Sequence, residues 1–132
     1  MLHTLIVEDE FTSRKILNAY LAPLGSCDTA MDGKEALQAF ADALKRGTPY
    51  DLVCLDISLP TMDGHSVLKQ IREAERAAGL GGLDRVKVIM TTASSDRHNI
   101  MHAFRSECDA YLIKPITKAG LVSKLSDLGL QA

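Results

Sequence analysis

Five short apolar runs, each followed by a stretch with helical spacing, limit what this chain can fold into. The runs are Leu5-Ile6-Val7, a weak one at roughly Ser26 to Met31, Leu52-Val53-Cys54-Leu55, Val86 to Met90, and Ala110-Tyr111-Leu112-Ile113. Several are continuous rather than alternating. A continuous apolar strand is buried on both faces, as happens when helices cover both sides of a parallel sheet. Five strands alternating with five helices therefore predict an α/β protein with an open, doubly wound parallel sheet.

The helical stretches carry apolar stripes at the expected spacing. The first holds Ile16, Leu17, Tyr20, Leu21 and Leu24, with Thr12 or Ser13 as cap and Pro23 and Gly25 at its end. The second follows Asp32-Gly33, turns Ala36, Leu37, Phe40, Ala43 and Leu44 inward, and stops at Gly47 and Pro49. The third places Val67, Leu68, Ile71 and Ala74 on one face, the fourth Ile100, Ala103 and Phe104, and the fifth Leu121, Val122, Leu125 and Leu128. Right-handed crossovers restrict the topology. The natural candidate is the (βα)5 flavodoxin-like three-layer sandwich with strand order 2-1-3-4-5, an order familiar from other doubly wound proteins rather than derived from this sequence. Residues 77–83 contain Gly79, Gly81 and Gly82 and read either as a flexible loop or as the place where the third helix runs on and ends.

The 132 residues fit one domain, and a 46% hydrophobic content supports a core. A net charge of −2 leaves no basic footprint for nucleic acid. No apolar run reaches membrane-spanning length, and the first residues lack the pattern of a signal peptide, so the expected location is the cytoplasm, with no membrane insertion. Cys27, Cys54 and Cys108 are odd in number and widely spaced, without a CxxC pair; they read as reduced, mostly buried thiols.

Ligands of such sheets bind beyond the carboxyl ends of the strands. There the first strand ends in Glu8 and Asp9, the third in Asp56, the fourth in Thr91 and Thr92, and the fifth in Lys114. If the first and third strands are neighbours, three carboxylates converge and repel one another. A divalent cation and the Lys114 ammonium would relieve that repulsion, and an all-oxygen site suits Mg2+. An aspartate beside such charges can act as nucleophile toward a phosphoryl group, with a threonine hydroxyl donating to a phosphoryl oxygen. Each residue alone has a plainer reading. Asp56 could be a turn residue, Glu8-Asp9 first-turn acids, Thr92 a helix cap, and Lys114-Pro115 an ordinary strand exit. Their common position at one sheet edge favours function.

With these residues in view, the sequence resembles the receiver domains of bacterial two-component response regulators, above all the stand-alone chemotaxis type. The resemblance runs from about Leu5 to about Leu128. It rests on Glu8-Asp9, Leu55-Asp56 with Leu59-Pro60 and Met62-Asp63-Gly64, Thr92-Ala93, and Lys114-Pro115. It implies that Asp56 is the phosphoacceptor, that Glu8, Asp9, Asp56 and the Ser58 backbone carbonyl hold Mg2+, and that Thr92 and Lys114 contact the phosphoryl group. Thr92 and Tyr111 would form a switch, although Tyr111 alone could be a static edge aromatic. The implied chain is a single receiver domain with no effector domain, a signalling protein rather than an enzyme, phosphorylated by a histidine kinase. It would then bind an unknown downstream protein through the surface of the fourth helix, fifth strand and fifth helix, as a monomer or weak homodimer. Relay intermediate and phosphate sink are further roles open to such a chain; a receiver-like scaffold that takes no phosphate is a rival reading, and the complete set Asp9, Asp56, Thr92 and Lys114 stands against it. Ser58 and Ser94 occupy positions that tune attack by water in this family, and neither is an acid or amide, so modest autodephosphorylation is expected.

Rival readings fit less well. An aspartyl-phosphate phosphatase places a second acid two residues after its nucleophile, where this chain has Ser58. A nucleotide or flavin binder needs a phosphate-cradling loop after the first strand, where this chain has Glu8-Asp9-Glu10. His98 and His102 have metal-ligand spacing but no third ligand, and His3 and His65 have no readable role. The run Arg72 to Arg76 reads as a solvated helix surface.

Overall fold

The computed structural model describes residues 1–93 and 108–130. Its strands are β1 (Leu2–Val7), β2 (Gly25–Ala30), β3 (Leu52–Asp56), β4 (Lys87–Thr92) and β5 (Ala110–Ile113). They form one sheet in the order β2-β1-β3-β4-β5, and every pairing is parallel. The helices are α1 (Phe11–Leu21), α2 (Gly33–Lys45), α3 (Gly64–Ala77) and a last helix, Lys118–Asp127. The expected fourth helical stretch, with Ser94, His98, Ile100, His102, Ala103 and Phe104, lies outside the described residues.

Two apolar layers flank the sheet. On one face Leu5, Val7, Val53, Leu55, Val88 and Met90 meet Phe40 and Ala43 of α2 and Val67, Leu68 and Ile71 of α3. On the other, Ile6, Cys54, Ile89 and Ala110 meet Leu17 and Leu21 of α1 and Leu121 and Leu125 of the last helix. All five residues of β3 are buried, which is why that strand reads as an unbroken apolar run. Each such aliphatic side chain contributes about 1.5–3 kcal/mol on burial, enough to hold β3 at the centre. The weak β2 run is an edge strand with an apolar demand only at intervals.

Some local expectations change. The cap of α1 is Glu10, whose carboxylate accepts from Ser13 N at 2.9 Å, rather than Thr12 or Ser13. A longer side chain spans the same gap, and an acid suits the positive end of the helix. The buried stripe of α1 is narrow, and Ile16 is 41% exposed; Val122 on the last helix is 47% exposed. The glycine-rich segment after α3 ends the helix in a Schellman turn. Gly79, at φ +77°, donates to Arg76 O, and Leu80 donates to Glu75 O at 2.9 Å.

The largest departure is on α3. Arg72 and Glu75 are buried, at 2% and 1% exposure, rather than solvated. Arg72 donates to Glu75 Oε1 and Val86 O, both at 2.8 Å, and to Asp109 Oδ2 at 2.9 Å. Glu75 Oε2 in turn accepts from Val86 N at 2.6 Å, and Asp109 Oδ2 from Val88 N at 2.8 Å. Burying a guanidinium is tolerable only with such a full set of acceptors. The network ties α3 to the start of β4 and to the turn that enters β5.

Candidate functional site

At the carboxyl edge of the sheet, β1 is prolonged by a bond from Glu8 N to Ala30 O, and β3 by one from Ile57 N to Thr91 O. The parallel ladder sets Asp56 beside Thr91. Lys114 follows β5, its own N–H bonded to Thr92 O at 2.6 Å. The backbone thus delivers Glu8, Asp56, Thr92 and Lys114 to one place because four strands end together there.

The side chains meet. Lys114 Nζ lies 2.5 Å from Glu8 Oε1 and 3.3 Å from Asp56 Oδ2. Glu8 and Asp56 are buried, at 1% and 4% exposure, while Asp9 is exposed. One carboxylate oxygen from each of Glu8, Asp9 and Asp56 lies within 4.8 Å of the others. Burial pushes the Glu8 carboxyl above its usual range, opposed by its bond to Lys114 and reinforced by Asp56. Burial pulls the Lys114 ammonium down, but its bonds to Glu8 and attraction to Asp56 outweigh this and raise it. Two of the three carboxylates, those of Glu8 and Asp56, thus share the Lys114 ammonium. The donors are all hard oxygens, those of Glu8 and Asp56 buried and that of Asp9 open to water, and this set fits Mg2+. A cation there would relieve the repulsion between Glu8 and Asp56 and favour the ionised form of Glu8 against the cost of its burial.

Ser58 touches Asp56 through its N–H, which donates to Asp56 Oδ1 at 3.0 Å. Thr91 and Thr92 are both buried. By strand alternation Thr91 shares a face with Ile89, and Thr92 shares one with Met90. Met90 pairs with Tyr111, which packs against the α2–α3 side of the core. Thr92 and Tyr111 therefore lie on the same face of adjacent strands.

Two residues of the site have no clear mark in a single sequence. Gly64 opens α3 and donates to Ile57 O at 2.8 Å. A Cβ there would stand 2.4 Å from Asp56 O, so only glycine allows α3 to start this close to Asp56. It lies in the Met62-Asp63-Gly64 run, but spacing alone does not reveal the clash. Arg14, on α1, donates from Nη1 to Glu8 O at 3.1 Å and to Asp9 O at 3.3 Å. Backbone acceptors leave no trace in the sequence.

Residues 4–126 match the family model of the response regulator receiver domain. The chain belongs to that family. This receiver chain is 31% identical, over 131 aligned positions, to probable histidine kinase 2 of Oryza sativa subsp. indica, covering 92% of this chain and 12% of that protein. It is 36% identical over 122 positions to the transcriptional regulatory protein DltR of Streptococcus agalactiae, covering 92% of this chain and 49% of that one. The receiver chain thus spans half or less of the length of these relatives. Among solved structures, the Vibrio cholerae chemotaxis protein CheY4 superposes with a TM-score of 0.80 at 23% identity, covering 96% of this chain and 98% of that one. The co-crystal of the Saccharomyces cerevisiae phosphotransfer protein Ypd1 with the receiver domain of Ssk1 gives 0.82 at 28% identity, covering 97% and 88%. The receiver fold and its place in two-component phosphorelay signalling follow from the family. Among the described residues, no helix is long and apolar enough to cross a membrane.

Proposed function

We propose that Asp56 accepts a phosphoryl group in the presence of Mg2+ and that the 132 residues work as one cytoplasmic receiver unit. The observation that carries this is the meeting of the β1 acids, Asp56 and Lys114 at one edge of the sheet. An ionised Asp56 oxygen attacks phosphorus, and the bond from phosphorus to the donor's nitrogen breaks. The electron pair leaves with the donor imidazole. Lys114 and the Thr92 hydroxyl bind phosphoryl oxygens, and Ser58 N–H orients the Asp56 carboxylate. Glu8, Asp9, Asp56 and the Ser58 carbonyl are the proposed Mg2+ ligands; the ion supplies neutralisation of the transferring charge. The product is a changed protein rather than a released compound, so the unit signals and is not an enzyme in the ordinary sense.

The donor is a histidine kinase or a histidine phosphotransfer protein. The second source is favoured by the likeness to the Ssk1 receiver, which was crystallised with such a protein. A groove of about 360 Å3 beside Lys114, lined by Ser13, Ile16, Leu17, Pro115 and Ile116, offers an apolar seat for the donor next to the reacting atoms. Phosphorylation would shift the population between two packings of Thr92 and Tyr111 and so alter the surface of β5 and the last helix, with the segment between β4 and β5, for a downstream protein such as a chemotaxis target.

Intact mass after incubation with Mg2+ and acetyl phosphate or phosphoramidate tests the reading. One added phosphoryl on the unaltered protein and none on Asp56→Asn is the expected result. No adduct on either, with no response to beryllium fluoride, would overturn it.

A further inference from the structure

We infer that Arg14 is a positioning residue for the metal site, holding Asp9 in place through the backbone rather than through any carboxylate. This rests on the proposed Mg2+ site. Asp9 is exposed, and among the described residues its carboxylate makes no hydrogen bond that would fix it. Its location therefore depends on the run of chain from Glu8 to Glu10. Glu8 is fixed on one side, by its N–H on Ala30 O and its carboxylate on Lys114. Glu10 is fixed on the other, where it caps α1 through Ser13 N and donates its own N–H to Glu8 Oε2 at 3.1 Å.

Between these anchors stand the carbonyls of Glu8 and Asp9, and a single nitrogen of Arg14 bonds both. Arg14 is itself braced, its guanidinium carbon 5.6 Å from the centre of the Phe11 ring and its main-chain N–H on Glu10 O. α1 thus grips the acidic loop at the two peptide groups that flank Asp9. Loss of a group that holds a metal's ligands in place typically costs about 10–100-fold in metal affinity.

Charge and position make opposite demands here, which separates them cleanly. Arg14 is a cation near a cation site, so by Coulomb's law its removal should tighten Mg2+ binding. If it positions Asp9, its removal should weaken binding instead. Lys15 supplies the control: it also lies against the Phe11 ring, at 5.7 Å, one residue along the same helix.

Calorimetric titration with Mg2+ alone, without a phosphodonor, reads the difference. Arg14→Met should raise the Kd roughly tenfold, the lower end of the usual effect of such supporting groups. Lys15→Met should leave the Kd unchanged or lower it. In metal-free protein the amides of residues 8–10 should also exchange faster in Arg14→Met than in Lys15→Met. Should Arg14→Met fail to fold, Arg14→Lys keeps the charge but offers a point donor in place of the guanidinium, and it should still bind Mg2+ more weakly than the unaltered protein. An equal or tighter Kd in the folded Arg14 variant would overturn the inference while leaving the metal site standing. No Mg2+ heat from the unaltered protein would overturn the metal-site reading, and the inference with it.

Discussion

Lys114 and Glu8 form the shorter of the two ion pairs at the sheet edge, 2.5 Å against 3.3 Å from Lys114 to Asp56. The lysine is thus engaged chiefly by the acid of β1, and Asp56 holds it less closely. A divalent cation among the three carboxylates would compete for Glu8 and release the ammonium toward Asp56. In the proposed reaction that is where it is needed.

The first prediction follows from Glu8. Its carboxyl keeps its proton to a higher pH in the folded chain than the reference value of 4.5 allows in the unfolded one, chiefly because it is buried. The folded state therefore binds more protons across that window, and Glu8 costs stability as pH rises through it. Lys114 behaves oppositely: its raised ammonium contributes stability below 10.5, lost as pH climbs through its folded value. In metal-free protein at neutral pH, Glu8→Gln should melt at a higher temperature than the unaltered protein, because the burial that raises the Glu8 carboxyl outweighs its bond to Lys114. The gain should shrink toward zero below the Glu8 window. Mg2+ should raise the melting temperature of the unaltered protein more than that of Glu8→Gln. Melts by circular dichroism across pH, with and without Mg2+, check both signs.

Gly64→Ala should damage the site without touching a charged group. The new Cβ would fall 2.4 Å from Asp56 O and 2.8 Å from Ile57 Cα, both backbone atoms that cannot swing aside. The start of α3 or the end of β3 must move, at a cost of about 2–3 kcal/mol. Urea unfolding measures that loss. A cost under about 0.5 kcal/mol would show that α3 can retreat freely from Asp56.

The buried network predicts a different pattern. Arg72→Met should lose about 3 kcal/mol or more, because Glu75 and Asp109 keep their charges and lose their counterion. Adding Glu75→Gln should recover part of the loss, since the amide can still accept from Val86 N and carries no charge. A double-mutant cycle in urea gives the coupling. Additive losses would mean that the two side chains do not act as one unit.

What could be read in advance follows from which interactions leave a pattern. β1, β3 and β4 are legible because burial on both faces demands continuous apolar runs, and the convergence of the candidate site because polar residues interrupt those runs at one end. Arg72 and Glu75 were misread as surface because an i,i+3 pair looks the same buried or exposed; their other partners, Val86 and Asp109, lie 14 and 37 residues from Arg72. Ile16 fits the helical stripe as well as Leu17 does, yet it is 41% exposed while Leu17 is buried. Arg14 bonds carbonyls, which every residue possesses.

The two threonines ending β4 give the sharpest test of the switch. Both are buried and adjacent, so composition and exposure cannot tell them apart. Alternation can: Thr91 lies on the α1 side of the sheet, while Thr92 follows Met90 on the face where Tyr111 packs. Replacing either by valine keeps the shape and removes the hydroxyl. The chain has three tyrosines, so fluorotyrosine labelling gives a short 19F spectrum in which Tyr111 is assigned by Tyr111→Phe. With Mg2+ and beryllium fluoride, the Tyr111 resonance should shift in the unaltered protein and in Thr91→Val, and stay in place in Thr92→Val. A hydroxyl drawn toward the bound group from the Tyr111 face would link the two residues; one drawn from the opposite face would not. A shift that survives in Thr92→Val and vanishes in Thr91→Val would transfer the role to Thr91 and separate Tyr111 from the phosphoryl site.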